Sequence, residues 1–253
     1  MVQVCALLLA LAVPSLLTAS DTSALPASFY RDDVPRANGS VALIGDSLTY
    51  AHWSGLPAEF VAERWGPFQL EARSGRFTTT TTESATSGLE AVRRVREGGF
   101  EPAVWIIALG TNDLAITYET PGATAALIDT MMTEIGSGRR VVWVNVYKQF
   151  SVTKARAFND ELQSATARHP GLVIVDWFTV AAAHPEWMQD DGVHMNMTGS
   201  VARNQFVARA ALASATPPLR CDPPPTSAAP DLKAAKFELA ASATLPAVRL
   251  CRR

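Results

Sequence analysis

The sequence predicts an α/β protein in which a five-stranded parallel sheet lies between two layers of helices. Five short apolar runs alternate along the chain with segments of helical periodicity, which is the pattern of parallel strands joined by crossover helices. The third run, residues 104–109, is apolar without interruption, as expected for a central strand covered on both faces. Together these observations predict a three-layer αβα sandwich.

Three strands and two helices are predicted in the first half of this domain. The strands are at residues 41–44, 68–72 and 104–109. Pro57 suits the first turn of a helix, so a helix is predicted from that residue to about residue 65. Apolar residues at helical spacing between residues 85 and 95 indicate a second helix, which Gly98 and Gly99 end.

The second half adds three helices and two strands. Helices are predicted at about 122–136 and 153–168, and strands at 141–146 and 172–175. The sequence His169-Pro170-Gly171 stops the helix that precedes the last strand. Thr198 is a candidate N-cap for a final helix that runs to about residue 214.

Composition is that of an ordinary globular protein. Hydrophobic residues make up 48% of the chain and charged residues 18%, which excludes disorder over its whole length. The net charge is −2 and no basic run is present, so nucleic acid is not expected as a partner. No sequence feature calls for an organic cofactor.

The two ends of the chain differ in composition from the predicted domain. Residues 1–20 have an apolar centre and small residues before Asp21, which predicts a signal peptide and a secreted or cell-envelope location. An uncleaved N-terminal anchor is the alternative, although the apolar run is short for stable membrane insertion. Residues 21–39 are interpreted as a linker, and residues 215–253 as a Pro/Ala-rich tail.

Cysteine usage fits export. Cys221 and Cys251 both lie in the tail, and a disulfide between them is predicted for an exported protein. No Cys/His spacing typical of a metal site is present, so no metal is expected.

Polar residues follow the predicted strands at the edge where α/β sheets bind ligands. Ser47 follows the first strand, Gly75 the second and Asn112 the third; Asp191 and His194 follow the fifth. A serine needs a nearby base to act as a nucleophile, and a histidine base needs a carboxylate to orient it. Taken alone, Ser47 reads more simply as a helix cap, but these residues together predict serine-dependent acyl transfer.

Four segments resemble the blocks of the SGNH (GDSL-type) hydrolases. They are Gly45-Asp46-Ser47-Leu48, residues 71–76, Gly110-Thr111-Asn112-Asp113 and Asp191-Gly192-Val193-His194. The resemblance covers residues 40–214 and implies a flavodoxin-like fold. It also implies that Ser47 is the nucleophile, His194 the base and Asp191 its orienting carboxylate. The block around Gly75 is the loosest match, because Glu71 or Ala72 replaces the Asn that often begins it.

The same resemblance implies an oxyanion hole made by the backbone N–H groups of Ser47 and Gly75 and the side-chain amide of Asn112. Residues 88–113 and 158–199 look most like exported bacterial SGNH esterases and the SGNH domains attached to membrane acyltransferases. The Gly-x-Ser-x-Gly motif of the α/β-hydrolases is absent, which argues against that fold.

Substrate contacts are harder to read from the sequence. The candidates are the side chains that follow strands on the site side: Tyr50, Trp53, Tyr147 and Lys148. Asp46 is interpreted as structural, and the other three histidines as surface residues.

The leading hypothesis is an exported serine esterase that hydrolyses short-chain O-acyl esters, carried by a small molecule or a glycan, through an acyl-enzyme. One alternative is an O-acyltransferase that acts on a cell-envelope or extracellular glycan. Another is a non-catalytic envelope or carbohydrate-binding protein on the same scaffold. Oligomeric state is left open by the sequence.

Overall fold

The computed structural model describes residues 29–212, which form a single mixed sheet flanked by helices. The strands are β1 (Phe29–Asp32), β2 (Val41–Gly45), β3 (Phe68–Ala72), β4 (Val104–Ala108), β5 (Arg140–Val144) and β6 (Leu172–Val175). Their order in the sheet is β1-β3-β2-β4-β5-β6. All neighbouring strands pair in parallel except β1, which pairs antiparallel with β3. The predicted fold class is confirmed.

Helices lie along both faces of this sheet. They are α1 (Ser47–Tyr50), α2 (Leu56–Ala62), α3 (Gly88–Glu97), α4 (Leu114–Tyr118), α5 (Ala123–Ile135), α6 (Val152–Ala165), α7 (Trp177–Ala182) and α8 (Met197–Ala210). Helices α3, α4, α5 and α6 pack with one another, and α2, α7 and α8 form a second group. None of the helices between residues 29 and 212 is long and apolar enough to cross a bilayer.

The prediction of five strands is wrong by one, because β1 lies inside the segment interpreted as a linker. Tyr30 pairs with Leu70 and Asp32 with Phe68, so β1 forms an added antiparallel edge. Its sequence, Phe-Tyr-Arg-Asp, is short and half polar. An edge strand needs only one apolar face, and four residues are too few for alternation to stand out.

Several helix boundaries also differ from the predictions. Helix α3 is capped by Ser87, whose hydroxyl accepts from the N–H of Glu90 while the Glu90 carboxylate accepts from the N–H of Ser87. This capping box was visible in the sequence and places the start later than residue 85. Helix α8 is capped by Asn196 and not by Thr198, since the Asn196 side chain accepts from Gly199 N–H.

The sheet provides the core on which the site rests. All side chains of β2, β3 and β4 are buried, as the uninterrupted apolar run of β4 predicts. Trp143 of β5 is fully buried, and its indole N–H donates to the carbonyl of Leu109 at 3.0 Å. The order of the parallel strands reverses between β2 and β4, which leaves a crevice at their carboxyl ends.

Three predictions concern residues outside the described part of the chain. They are the signal peptide at 1–20, the tail at 215–253 and the disulfide between Cys221 and Cys251.

Candidate active site

Ser47 is the first residue of α1, at the carboxyl end of β2. The Asp46 carboxylate caps this helix by accepting from the backbone N–H of Leu48 at 3.0 Å. The turn needs glycine before it, because a Cβ at Gly45 would collide with the side chain of Thr49. The Gly-Asp-Ser-Leu sequence therefore folds into a tight strand-to-helix turn that presents the serine side chain.

Asp191 and His194 lie in the loop that leads into α8. One Asp191 carboxylate oxygen accepts from the backbone N–H groups of Val193 and His194, both at 2.9 Å. The loop is tied to the segment after β5 by a bond from Gln149 N–H to the carbonyl of Gly192 at 2.8 Å. The carboxylate therefore shapes the loop with one oxygen and keeps the other for the imidazole.

These three side chains form a continuous hydrogen-bonded chain. The Oγ of Ser47 lies 2.9 Å from Nε2 of His194, and Nδ1 of His194 lies 2.6 Å from Oδ2 of Asp191. The hydrogen bond with His194 lowers the pKa of Asp191 to about 2, and the N–H of Val193 adds to this effect. The carboxylate is therefore ionised at neutral pH and can hold the imidazole in one tautomer.

Asn112 and Gly75 approach the same crevice from the segments after β4 and β3. The amide of Asn112 donates one proton to the backbone carbonyl of Arg76 at 2.9 Å, which leaves its second N–H proton for another acceptor. Gly75 lies in an exposed turn with φ +71°, a conformation that favours glycine. The four segments that carry the motifs thus converge on one edge of the sheet.

Two buried carboxylates support this edge from below. Asp113 accepts from the hydroxyl of Thr78 at 2.8 Å and from its backbone N–H, and burial raises the pKa of Asp113 to about 6. Burial also raises the pKa of Asp46, an effect that the positive charge of Arg203 opposes. The expected structural role of Asp46 agrees with its position as the cap of α1.

The four predicted substrate residues occupy different environments. Tyr50 is 42% exposed, one turn after Ser47. Trp53 packs against Tyr30 of β1, with ring centroids 6.2 Å apart. Tyr147 is buried edge-on against Phe178, and Lys148 is half-buried. Among the described residues, no hydrogen bond joins any of these four side chains to Ser47 or His194.

Two residues near the site were not predicted from the sequence. Arg76 is fully buried beneath the Gly75 turn, where a charged side chain was not expected. Phe150 is 71% exposed, and its ring lies against the backbone of Gly192, between Asp191 and His194. It lies in a short 3₁₀ turn, Gln149–Ser151, that the sequence did not indicate.

Two of the other three histidines pair with carboxylates away from this chain of hydrogen bonds. His169 lies 2.6 Å from Asp129, and His184 lies 2.8 Å from Glu186. Within residues 29–212, no cluster of three or more His, Cys, Asp or Glu side chains is arranged to hold a metal ion.

A serine, a histidine and an aspartate joined by hydrogen bonds at the carboxyl edge of a parallel sheet define a serine hydrolase on an αβα scaffold. The profile of the GDSL-like lipase/acylhydrolase family matches residues 43–202. The chain therefore belongs to this family, whose members are serine hydrolases of ester bonds. A search of curated proteins finds no match.

Solved structures share the fold. The C-terminal catalytic domain of Streptococcus pneumoniae peptidoglycan O-acetyltransferase A superposes with a TM-score of 0.54 at 21% identity, over 70% of this chain and 93% of that one. Est24, a carbohydrate acetylesterase from Sinorhizobium meliloti, gives a TM-score of 0.52 at 16% identity, over 69% of this chain and 98% of that one. At these identities the likeness concerns the fold.

Proposed function

We propose that this protein is an exported serine esterase that hydrolyses short-chain O-acyl esters through an acyl-enzyme. The observation that carries the proposal is the pair of hydrogen bonds from Ser47 to His194 and from His194 to Asp191, at 2.9 and 2.6 Å. Both distances lie within the range required for direct proton transfer and for orientation of the base.

The first half-reaction follows from this geometry. The Oγ of Ser47 attacks the ester carbonyl carbon while Nε2 of His194 accepts the hydroxyl proton. The Asp191 carboxylate stabilises the resulting imidazolium, which then protonates the leaving alkoxide as the carbon–oxygen bond breaks. The product alcohol departs and the acyl group remains on Ser47.

Deacylation uses the same base in the same way. A water molecule donates its proton to Nε2 of His194 and attacks the acyl carbonyl, and the proton then returns to Oγ of Ser47 as the acid leaves. No other group is needed to balance this step.

The negative charge that develops on the carbonyl oxygen in both steps requires fixed donors. We assign this role to the backbone N–H groups of Ser47 and Gly75 and to the second amide proton of Asn112. The N–H of Ser47 belongs to the first turn of α1, where the helix itself offers no acceptor. The bond from Asn112 to the Arg76 carbonyl fixes the direction of the remaining amide proton.

An acetyl group is the acyl group we propose first. The two structural neighbours described above are, by their own descriptions, a peptidoglycan O-acetyltransferase and a carbohydrate acetylesterase. Tyr50 and Lys148 remain candidates for contact with the alcohol part of the substrate. Transfer of the acyl group to a glycan hydroxyl is the second candidate function, because the first half-reaction would be the same.

The decisive experiment combines active-site labelling with turnover. The wild-type protein should react with a fluorophosphonate at Ser47 and hydrolyse p-nitrophenyl acetate faster than longer acyl esters. Ser47→Ala should lose both properties, whereas Ser54→Ala, at an exposed serine in the following 3₁₀ turn, should keep them. Labelling at another residue, or undiminished turnover by Ser47→Ala, would overturn the proposal.

Two further measurements separate the alternatives. Partition of the acyl-enzyme between water and an added glycan acceptor distinguishes hydrolysis from transfer. Export is tested by locating the protein after expression and sequencing its N-terminus; a mature chain that begins near residue 21 is expected. Retention of residues 1–20 in the membrane fraction would favour the anchored alternative.

A further inference from the structure

We propose that Arg76 is the positioning residue of the oxyanion hole, a role that rests on the esterase function proposed above. Its side chain binds the main chain of the segments that carry Ser47 and Gly75, and its backbone carbonyl accepts the amide proton of Asn112. It does not contact the substrate, and it acts by fixing where those donors point.

The guanidinium group of Arg76 is fully buried and is held by carbonyl groups from three segments. Its Nε donates to the carbonyl of Thr86 at 3.1 Å. Its Nη1 donates to the carbonyl of Glu71 at 2.8 Å and, more weakly, to the carbonyl of Gly45 at 3.4 Å. One side chain therefore links the ends of β2 and β3 with the segment that precedes α3.

The link to Gly45 and the main chain of Arg76 itself lie next to proposed oxyanion donors. Gly45 is two residues before Ser47, and Arg76 itself follows Gly75 directly. The backbone carbonyl of Arg76 accepts the amide proton of Asn112 at 2.9 Å, so the third donor is anchored on the same residue. A displacement of Arg76 would consequently misdirect all three donors together.

Neutralising a buried charge is the simpler explanation for this arginine, and the contacts argue that it is insufficient. The Glu71 carboxylate is buried, but it receives a closer contact from Nη2 of Arg94, at 3.0 Å, than from Nη2 of Arg76, at 3.8 Å. The charge of Glu71 thus has another partner. Arg76 differs from Arg94 in that its side chain donates to the backbone carbonyls at the site.

The geometry requires arginine in particular. Burial lowers the pKa of Arg76 to about 10, so the group is still protonated at neutral pH. A planar guanidinium presents several donors in fixed directions, whereas the ammonium group of lysine is a single point charge. Lysine at this position can therefore satisfy part of the carbonyl set, and methionine none of it.

The test compares steady-state kinetics of Arg76→Met and Arg76→Lys with those of a matched control, Arg94→Met. A misplacement of about 1 Å can reduce a rate on the order of 10²-fold. We expect Arg76→Met to lower kcat by roughly that factor with little change in KM, and Arg76→Lys to lose less. Arg94→Met, which also removes a contact with Glu71, should keep kcat within about threefold because Arg94 contacts the side chains of Glu71 and Thr86 and not the backbone carbonyls beside the oxyanion donors.

A double-mutant cycle with Asn112→Ala separates positioning from loss of stability. If Arg76 acts through the amide of Asn112, the double variant loses less in kcat than the product of the two single losses. Multiplicative losses, or a full kcat in Arg76→Met, would overturn the inference. If Arg76→Met does not fold, the kcat of Arg76→Lys decides: a wild-type value rejects the role.

Failure of this inference differs from failure of the proposed function. A wild-type protein that neither labels nor turns over would reject the esterase, before any variant is made. An active wild-type enzyme with unaffected Arg76 variants would reject only the positioning role.

Discussion

Replacement of Asp191 by Asn tests the role of the carboxylate without removing the loop that it shapes. The Oδ1 atom of Asp191 accepts the backbone N–H groups of Val193 and His194, and an Asn side chain keeps an oxygen in that place. What changes is the atom 2.6 Å from Nδ1 of His194, which becomes an NH₂ donor. Nδ1 of the imidazole must then accept a hydrogen bond, so the ring proton moves to Nε2. A protonated Nε2 cannot accept the hydroxyl proton of Ser47, and His194 no longer acts as the base.

The size of the expected loss depends on how exposed the pair is. Trapping the wrong tautomer costs about 10⁴-fold in kcat when the carboxylate is buried. Here the side chains of His194 and Asp191 are 38% and 48% exposed, so water can replace part of the lost interaction. We therefore expect a loss on the order of 10³-fold, equivalent to about 4 kcal/mol of transition-state stabilisation.

The assay is hydrolysis of p-nitrophenyl acetate by Asp191→Asn at constant pH, with thermal unfolding measured in parallel. The neighbouring exposed Asp190 provides a matched control, and Asp190→Asn should hydrolyse the ester at the wild-type rate. A kcat for Asp191→Asn within about tenfold of the wild type would refute the tautomer argument. Equal losses of kcat in Asp191→Asn and Asp190→Asn would refute the assignment of Asp191, and not Asp190, as the carboxylate that orients His194.

Three further predictions concern the stability of the elements that carry the site. Asp46→Ala removes the cap of α1 and the carboxylate that faces the buried charge of Arg203. Urea unfolding should show a free energy of unfolding lower by roughly 3 kcal/mol. A decrease of less than about 1 kcal/mol would contradict this prediction. Burial raises the pKa of Asp113 to about 6, so the contribution of Asp113 to stability should be lost as pH rises from 3.8 to that value. Asp113→Asn should reduce this loss of stability with rising pH in urea titrations, and an unchanged dependence on pH would contradict the assignment. Ser87→Ala breaks the capping box of α3 and should lower the free energy of unfolding by about 1 kcal/mol; an unchanged melting temperature would argue against the box.

The central strands were predictable from the sequence because a strand that is buried on both faces is an uninterrupted apolar run. The run at 104–109 contains β4, and the strand at 172–175 has the predicted bounds. Ser47, Asn112 and His194 were predicted near one another because parallel strands end at a common edge. The structure places Oγ of Ser47 and Nε2 of His194 at 2.9 Å.

Other features left no comparable signal. Helices α4 and α7 contain five and six residues, too few for helical periodicity to stand out. Arg76 looks in the sequence like an exposed loop residue, and only tertiary contacts show that its guanidinium is buried. The environments of Tyr147 and Trp53 likewise depend on neighbours distant in sequence, namely Phe178 and Tyr30.

The antiparallel strand at Phe29–Asp32 has a practical consequence for anyone who shortens this protein. A truncation that starts at residue 40, where the sequence places the domain boundary, deletes the partner of Phe68–Ala72. The backbone N–H and C=O groups of β3 that pair with β1 would then face water. They could pair with β3 of another molecule. Soluble, monodisperse recombinant material should therefore retain the chain from residue 29 onward.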